Sequence, residues 1–461
     1  MARDRSLSWL LGALALTSGG LGCGSTPQPH VDAAVGSDAA DVPDAPRADA
    51  SLDRTGVSEL AGPDADPELG DLEPLGAIVA DAELIGIGES VHTTGGQVRM
   101  RARMIRWLVA HADVREIIVE SPRTAMAVRT QPYVATCEGD AEEAATGLHS
   151  IWWDRSTPAL LTWLCEWNQA HPSAPVTMRG VDIRQPWDDA PALVAFYTRL
   201  APDRVALAEA TRSCLGARFA DETAFFSDPD VLHYYGEGGM RPTPEAEHLA
   251  CLAAADEVLS DLSTHRSELV AASSERDVEE ARLAAVAMRA FDETLYQLSR
   301  GELAAANPPR DAAMADVLLT LRRLDPPAGR GVLFAHDGHV LRDSSAVLLG
   351  QWRGVENLAT RIERELSYVA IGQISRLARI DWLDTPGTIF FETTDAIELV
   401  IDMLGPEQLL LDLHAPAFPI DLEEVRRVGF DTMRPARHYD ALVYLRDSPA
   451  NEYFRSPRPG G

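Results

Sequence analysis

Leu84-Ile85-Gly86-Ile87-Gly88-Glu89-Ser90-Val91-His92 opens the folded part of the chain. Its short apolar run, relieved only by glycine and ending on ionisable groups, reads as a buried strand that empties into a loop. Downstream, Val98 to Ala110 has the apolar spacing of a helix, Glu116 to Val119 reads as a second strand, and Pro158 to Gln169 as another long helix. A third strand is predicted at Val176 to Ile183, and Pro191 to Arg300 is mostly helical. Asp311 to Leu324 is a helix that leads into a strand at Gly331 to Ala335. Later strands are predicted at Tyr368 to Gln373, Thr388 to Glu392, Leu409 to Asp412 and Ala441 to Leu445. Strands that alternate with helices predict an α/β fold, layered around a mostly parallel central sheet flanked by helices. The helical stretch at about 186–306 is expected to be a cap inserted between the third and fourth strands, within a folded domain spanning 77–461.

In such sheets ligands bind beyond the carboxyl ends of the strands. Each of the first four strands ends on an ionisable group: Glu89 with His92, then Glu120, then Asp182, then His336-Asp337-Gly338-His339. Carboxylates and histidines brought together on neighbouring strand ends suit general acid–base chemistry. Taken singly each has a plainer reading, as a solvated loop pair, a helix cap or a surface charge. Their joint placement is what argues for a site. Gly86-x-Gly88 begins like a dinucleotide fingerprint, but Val91 stands at the third glycine position. His92 stands where a serine nucleophile elbow would close on glycine. No His-Glu-x-x-His, Cys-x-x-Cys or calcium-loop pattern occurs.

Of 461 residues, 71 are Asp or Glu and 41 are Lys or Arg, a formal net charge of −30. Every one of those 41 is arginine. The acidic balance argues against nucleic acid and anionic membrane surfaces as partners. The lack of lysine excludes a P-loop, a Schiff base and a Ser-x-x-Lys nucleophile pair. Arg3 and Arg5 precede an apolar run from Leu7 to Leu16, and small residues lead to Cys23, the pattern of a secretory signal peptide over 1–23. The run is too short to span a membrane, which takes roughly 20 apolar residues. Leu21-Gly22-Cys23 resembles a bacterial lipobox with Gly20 at the position usually held by leucine. The expectation is therefore an exported lipoprotein, held on the membrane through a lipidated Cys23 alone and facing the periplasm or cell exterior. Plain secretion is the alternative. Residues 24–76, rich in Asp, Ala and Pro, are expected to form a disordered acidic tether. Export suits the remaining cysteines, Cys137, Cys165, Cys214 and Cys251. Four cysteines allow three pairings, which sequence alone does not separate. The common helical region of Cys214 and Cys251 favours that pair together with Cys137–Cys165, and four buried free thiols are the alternative.

At these residues the chain resembles the erythromycin esterase family. The family's opening Gly-Glu-x-x-His stands here as Gly88-Glu89-Ser90-Val91-His92. Its following basic residue is matched by Arg101, and its strand-end glutamate by Glu120. Trp153 with Gly180-Val181-Asp182, Arg310-Asp311-Ala312-Ala313-Met314-Ala315 and His336-Asp337-Gly338-His339 keep the family's order. So do Leu411-Asp412-Leu413 and Tyr439-Asp440-Ala441-Leu442-Val443. The chain departs from the family at Thr93, often glycine, at Asp337, usually asparagine, and at Asp316-Val317, usually an acidic-Asn pair. The resemblance implies hydrolysis of a carboxylic ester or lactone, a macrolide among the candidates, with no cofactor and no metal. His92 would be the general base, with Glu89 or Glu120 holding its imidazole. Arg101 and His336 would stabilise the oxyanion or protonate the leaving alkoxide. His339, Asp182 and Trp153 would contact the substrate. Two other readings of the same residues remain: a metal-dependent hydrolase at the Glu/His set, and a non-catalytic haem- or metal-binding lipoprotein.

Overall fold

The computed structural model describes residues 54–65, 69–184, 186–214, 243–350, 352–381, 388–393, 396–416, 418, 420–429 and 431–455. The expected signal segment, Cys23 and the tether as far as residue 53 lie outside the described residues. The strands are β1 (Val57–Glu59), β2 (Leu84–Glu89), β3 (Val114–Pro122), β4 (Thr177–Asp182), β5 (Arg330–His336) and β6 (Tyr368–Asp381). They continue with β7 (Thr388–Glu392), β8 (Gln408–Asp412), β9 (Arg426–Val428), β10 (Asp431–Met433) and β11 (Ala441–Ser448). Among the described residues, nine form one sheet in the order β1-β8-β11-β6-β2-β5-β3-β4, with β7 paired to β6, and β9 and β10 form a separate pair. From β11 to β4 every neighbour is parallel, whereas the pairs β8–β11, β1–β8 and β7–β6 are antiparallel. The expected α/β architecture with its mostly parallel sheet and helical insertion is the one observed.

The central strands are buried on both faces, and their alternation divides the core. Ile85, Ile87, Ile117, Val119, Val332 and Phe334 point to one side, where they meet α1 (Gly95–His111) and α2 (Ser156–Ala170). Leu84, Ile118, Leu333 and Ala335 point to the other, against Met314, Val317, Leu318 and Leu321. A third apolar cluster fills the insertion between α3 (Asp189–Leu200), α4 (Val205–Ser213), α5 (Glu245–Thr264) and α6 (Glu275–Ser299). Helix α7 (Leu303–Leu324) returns the chain from the insertion to the sheet. It starts eight residues before the position expected from sequence, carrying Pro308 and Pro309 inside it. Prolines there remove helix hydrogen bonds and read from sequence as a stop. The four-residue helix α8 (Asp337–Val340) follows β5 directly.

The tether expectation is corrected for residues 54–65 and 69–76. Strand β1 is hydrogen-bonded to β8 at the sheet edge, and Leu60, Leu72 and Leu75 are buried. The acidic residues that suggested a solvated linker have partners: Asp71 binds Arg103 at 2.8 Å, and Asp64 meets Arg155 at 2.9 Å and Arg99 at 3.3 Å. Composition counted those charges without their arginines.

Candidate active site

The parallel strands bring their ends to one edge, and the register sets who meets whom. Glu89 at the end of β2 is the direct partner of His336 at the end of β5. Beyond Val119 the β3–β4 register shifts, an irregularity that re-aims the strand end carrying Glu120. The glycines of β2 make the face beneath bare. A Cβ on Gly88 would lie 1.9 Å from Asp337 Oδ1, and one on Gly86 1.9 Å from the Tyr368 hydroxyl. Those contacts account for the Gly-x-Gly without any dinucleotide.

On the α1 side of the sheet, His92 Nδ1 donates to Glu89 Oε1 at 2.5 Å, which leaves Nε2 as the ring's base nitrogen. Thr93, next in the chain, takes φ 63°, a left-handed backbone unusual for a β-branched residue, at the position where the family often has glycine. The other oxygen of Glu89 accepts from Arg101 Nη1 at 3.3 Å. Arg101 is buried between the rings of Trp152 and Phe334, its Cζ 4.4 and 4.3 Å from their centroids. It therefore stands behind Glu89 and contacts the carboxylate. Trp152 also packs edge-on against the His92 ring at 5.7 Å and donates its indole N–H to the Glu120 carbonyl. Trp153, the tryptophan singled out from sequence, instead donates to the Leu148 carbonyl and packs against Phe454.

On the α7 side, Arg310 donates to Glu120 Oε1 at 2.6 Å and grips Asp182 with Nε at 3.0 Å and Nη2 at 2.8 Å. Burial opposes charge on Glu120, but His339 and Arg310 hold its pKa well below the usual carboxylate range. Asp182 behaves alike: burial is outweighed by Arg310 and Arg184, and its pKa is held well down. His149 Nε2 reaches Asp182 at 2.9 Å. His339 lies between Asp311, with Nδ1 to Oδ1 at 2.5 Å, and Arg310 Nη1, 2.8 Å from its Nε2. Burial resists a charge on this ring, whereas Asp311 and Glu120 pull its pKa up to about 9. A guanidinium has only donors, so the 2.8 Å contact requires a bare Nε2 and a neutral ring. A charged ring would have to turn that nitrogen to Glu120 Oε1, now 3.4 Å away. The neutral ring thus accepts from Arg310, and the charged ring faces Glu120 and helps keep its carboxylate ionised.

His336 joins the two halves. Its backbone N–H donates to Glu120 Oε2 at 2.7 Å, and its ring lies 4.9 Å from that of His92. Its Nδ1 accepts from the Gly338 N–H at 3.1 Å, so the neutral ring carries its proton on Nε2. Burial and the adjacent His92 push its pKa well below the ordinary histidine value. His92 is the more open of the outer histidines, with 20% of its side chain accessible against 2% for His339. Among the described residues no three His, Cys, Asp or Glu side chains converge as metal donors. Glu89 is engaged by His92 and Arg101, and Glu120 by Arg310.

The family model for erythromycin esterase matches residues 109–448. The chain belongs to the erythromycin esterase family. Solved structures of similar fold include a Bacillus cereus protein, at 17% identity and TM-score 0.68 over 87% of this chain and 97% of that one. A succinoglycan biosynthesis protein aligns at 16% identity and TM-score 0.65 over 86% and 95%. An erythromycin esterase mutant, EreC in its open conformation, aligns at 16% identity and TM-score 0.65 over 84% and 95%. At such identities the likeness is one of fold. Membership of the erythromycin esterase family supports a hydrolase of that family.

Of the residues expected from sequence, Glu89, His92, Glu120, Asp182, His336 and His339 come together at the strand ends, with Arg101 behind them. The tryptophan packed on the His92 ring is Trp152, and Trp153 packs against Phe454. Sequence reading missed His149, Trp152 and the contacts of Arg310 and Asp311. Arg310-Asp311 was visible as a helix motif, but nothing along the chain ties Arg310 to Asp182, which lies 128 residues away.

Proposed function

We propose that the protein is an exported, lipid-anchored esterase that hydrolyses a carboxylic ester or lactone, a macrolide among the candidates, with water activated by His92. The observation that carries this reading is the Glu89–His92 pair, whose hydrogen bond on Nδ1 leaves Nε2 as the base nitrogen of a side chain that is 20% accessible. In this scheme Nε2 takes a proton from water as its oxygen bonds to the carbonyl carbon, and Glu89 stabilises the imidazolium that forms. The neutral His336 offers Nε2–H to the carbonyl oxygen as negative charge develops there. Collapse of the tetrahedral intermediate breaks the bond to the alkoxide, which receives the proton from the His92 imidazolium. The products are an acid and an alcohol, joined in one opened chain when the substrate is a lactone. Arg101 contributes through Glu89, and Glu120 through the His336 backbone.

Mass-spectrometric screening of the purified protein against a panel of lactones and esters tests the reading. A substrate should gain the mass of one water, and His92→Ala should slow that reaction by about 10²–10⁴-fold without moving the melting curve. Glu89→Gln should be similarly damaging, and exhaustive chelation should leave the wild-type rate unchanged. Near-wild-type turnover by His92→Ala would sink the scheme. Restoration of a chelated, inactive protein by one divalent metal would move the assignment to a metallohydrolase.

Export is supported by the two disulfides, Cys137–Cys165 and Cys214–Cys251, which suit oxidising compartments, and anchoring by the lipobox-like Leu21-Gly22-Cys23. No helix among the described residues is long and apolar enough to cross a membrane. Cell fractionation should find the wild type with membranes and Cys23→Ala in the soluble fraction. Equal partitioning of the two would remove the anchor.

A further inference from the structure

We infer that Arg310 is the positioning residue of this site: its guanidinium fixes the charge and aim of Glu120 and, through Glu120, the place of His336. The side chain is 8% exposed and reaches from α7 to the ends of β3 and β4 and to α8 at once. Nε and Nη2 form a fork on the two oxygens of Asp182, at 3.0 and 2.8 Å. Nη2 also reaches Glu120 Oε1 at 2.6 Å, and Nη1 reaches His339 Nε2 at 2.8 Å. The second oxygen of Glu120 is the acceptor for the His336 backbone N–H. One planar cation thus holds two buried carboxylates, the His339 imidazole and, one bond further on, the histidine beside His92.

The only other cation within ion-pair range of both carboxylates among the described residues is Arg184. It is 3.8 Å from Glu120 and 3.3 Å from Asp182, with a third of its own side chain exposed. Without Arg310, the two buried carboxylates would keep Arg184 as their one shared guanidinium, with His149 beside Asp182 at 2.9 Å and His339 beside Glu120 at 3.4 Å, and the first effect would be a stronger tendency of Glu120 to hold a proton. Glu120 would then titrate upward, and its grip on the His336 N–H would weaken. A lysine supplies the charge as a point and cannot span both carboxylates and the imidazole. Arg310 does not face the reacting atoms, so its effect would come entirely through the groups it holds.

The inference rests on His336 acting in hydrolysis, so the experiment has one arm with turnover and one without. With an ester that the wild type cleaves, Arg310→Gln and Arg310→Lys are expected to lower kcat by about 10²-fold, as small misplacements of catalytic groups do, with KM changed by only a few-fold. The acid limb of the kcat–pH profile should move to higher pH in Arg310→Gln and less so in Arg310→Lys. A merely structural loss would lower the rate alike at every pH. In the second arm, carboxyl-carbon NMR, with the Glu120 signal assigned through Glu120→Gln, follows the titration without substrate. Glu120 should titrate higher in Arg310→Gln than in wild type. Should that variant not fold, Arg310→Lys keeps the charge, and wild-type kcat in it overturns the inference. So does a folded Arg310→Gln whose Glu120 titrates where wild type does. A wild type inert to every ester tried counts against the hydrolase reading alone, and the NMR arm still decides for Arg310.

Discussion

Asp337 is buried against the bare backbone of Gly88, with one carboxyl oxygen, Oδ1, lacking a hydrogen-bond partner. Burial, with the charge of Glu89 close by, pushes its pKa well above the usual carboxylate value. The consequence for stability has a definite sign. Well below pH 4, this carboxyl is neutral in both the folded and the unfolded chain, and its titration costs no stability. Above the unfolded pKa of about 3.9 the unfolded chain releases the proton while the folded one keeps it, so stability falls as pH rises toward the folded value. Asp337→Asn, which installs the residue usual in the family, should remove that loss. Thermal melting between pH 4 and 8 should find the variant more stable than wild type at pH 8, with the gap closing toward pH 4. A variant less stable at pH 8, or a difference independent of pH, would refute the account. His92 and Arg101 illustrate what residue types alone convey. The sequence pointed to both, and the fold separates an accessible base from a guanidinium sandwiched between aromatic rings behind its carboxylate.

The strands of the central sheet were legible because burial on both faces demands continuous apolar runs, and β2, β3, β5 and β11 have them. The elements missed had weaker signals. β9 is Arg426-Arg427-Val428, and β1 is three residues inside an acidic stretch, so neither carries a period that a reader could count. Prolines hid the first turns of α7, the very helix that carries Arg310. The same reasoning separates what was readable in the site. Glu89, Glu120, Asp182 and His336 follow from strand ends and parallel neighbours, whereas His149 precedes a short turn and has no such marker. Strand β2 also makes a demand of its own. Gly88→Ala would drive a methyl to within 1.9 Å of a buried carboxyl oxygen, so Asp337 or the strand would have to shift. That substitution should lower the melting temperature and impair turnover, and adding Asp337→Ala should recover part of the stability. Were Gly88→Ala as stable as wild type, the close packing of α8 on β2 would be wrong.

Across the molecule arginine takes every place that lysine could, and it is used to join parts. Arg123 at the end of β3 binds Asp189 of α3 and Glu280 of α6, and Arg282 of α6 binds Asp316 of α7 at 2.6 Å. These pairs clamp the insertion onto the body beside Asp182 and Glu120. Planar guanidinium groups that accept two carboxylates at once suit that task, as Arg310 and Arg123 both do. An excess of acidic residues therefore coexists with few unpaired carboxylates around the site, a balance that net charge alone does not reveal.

The bond between Cys214 and Cys251 gives the insertion a property that concerns proteases. Cut the backbone once anywhere between those two cysteines, and the two pieces remain a single covalent molecule. The contacts of Arg123, Arg282 and Arg310 all lie outside that interval, so the nicked protein should keep its hydrolytic rate. Limited proteolysis in this interval should give one band on a non-reducing gel and two after reduction. Separation of the pieces without reductant would overturn the pairing. In a protease-rich surrounding, the damage would remain silent until a thiol arrived.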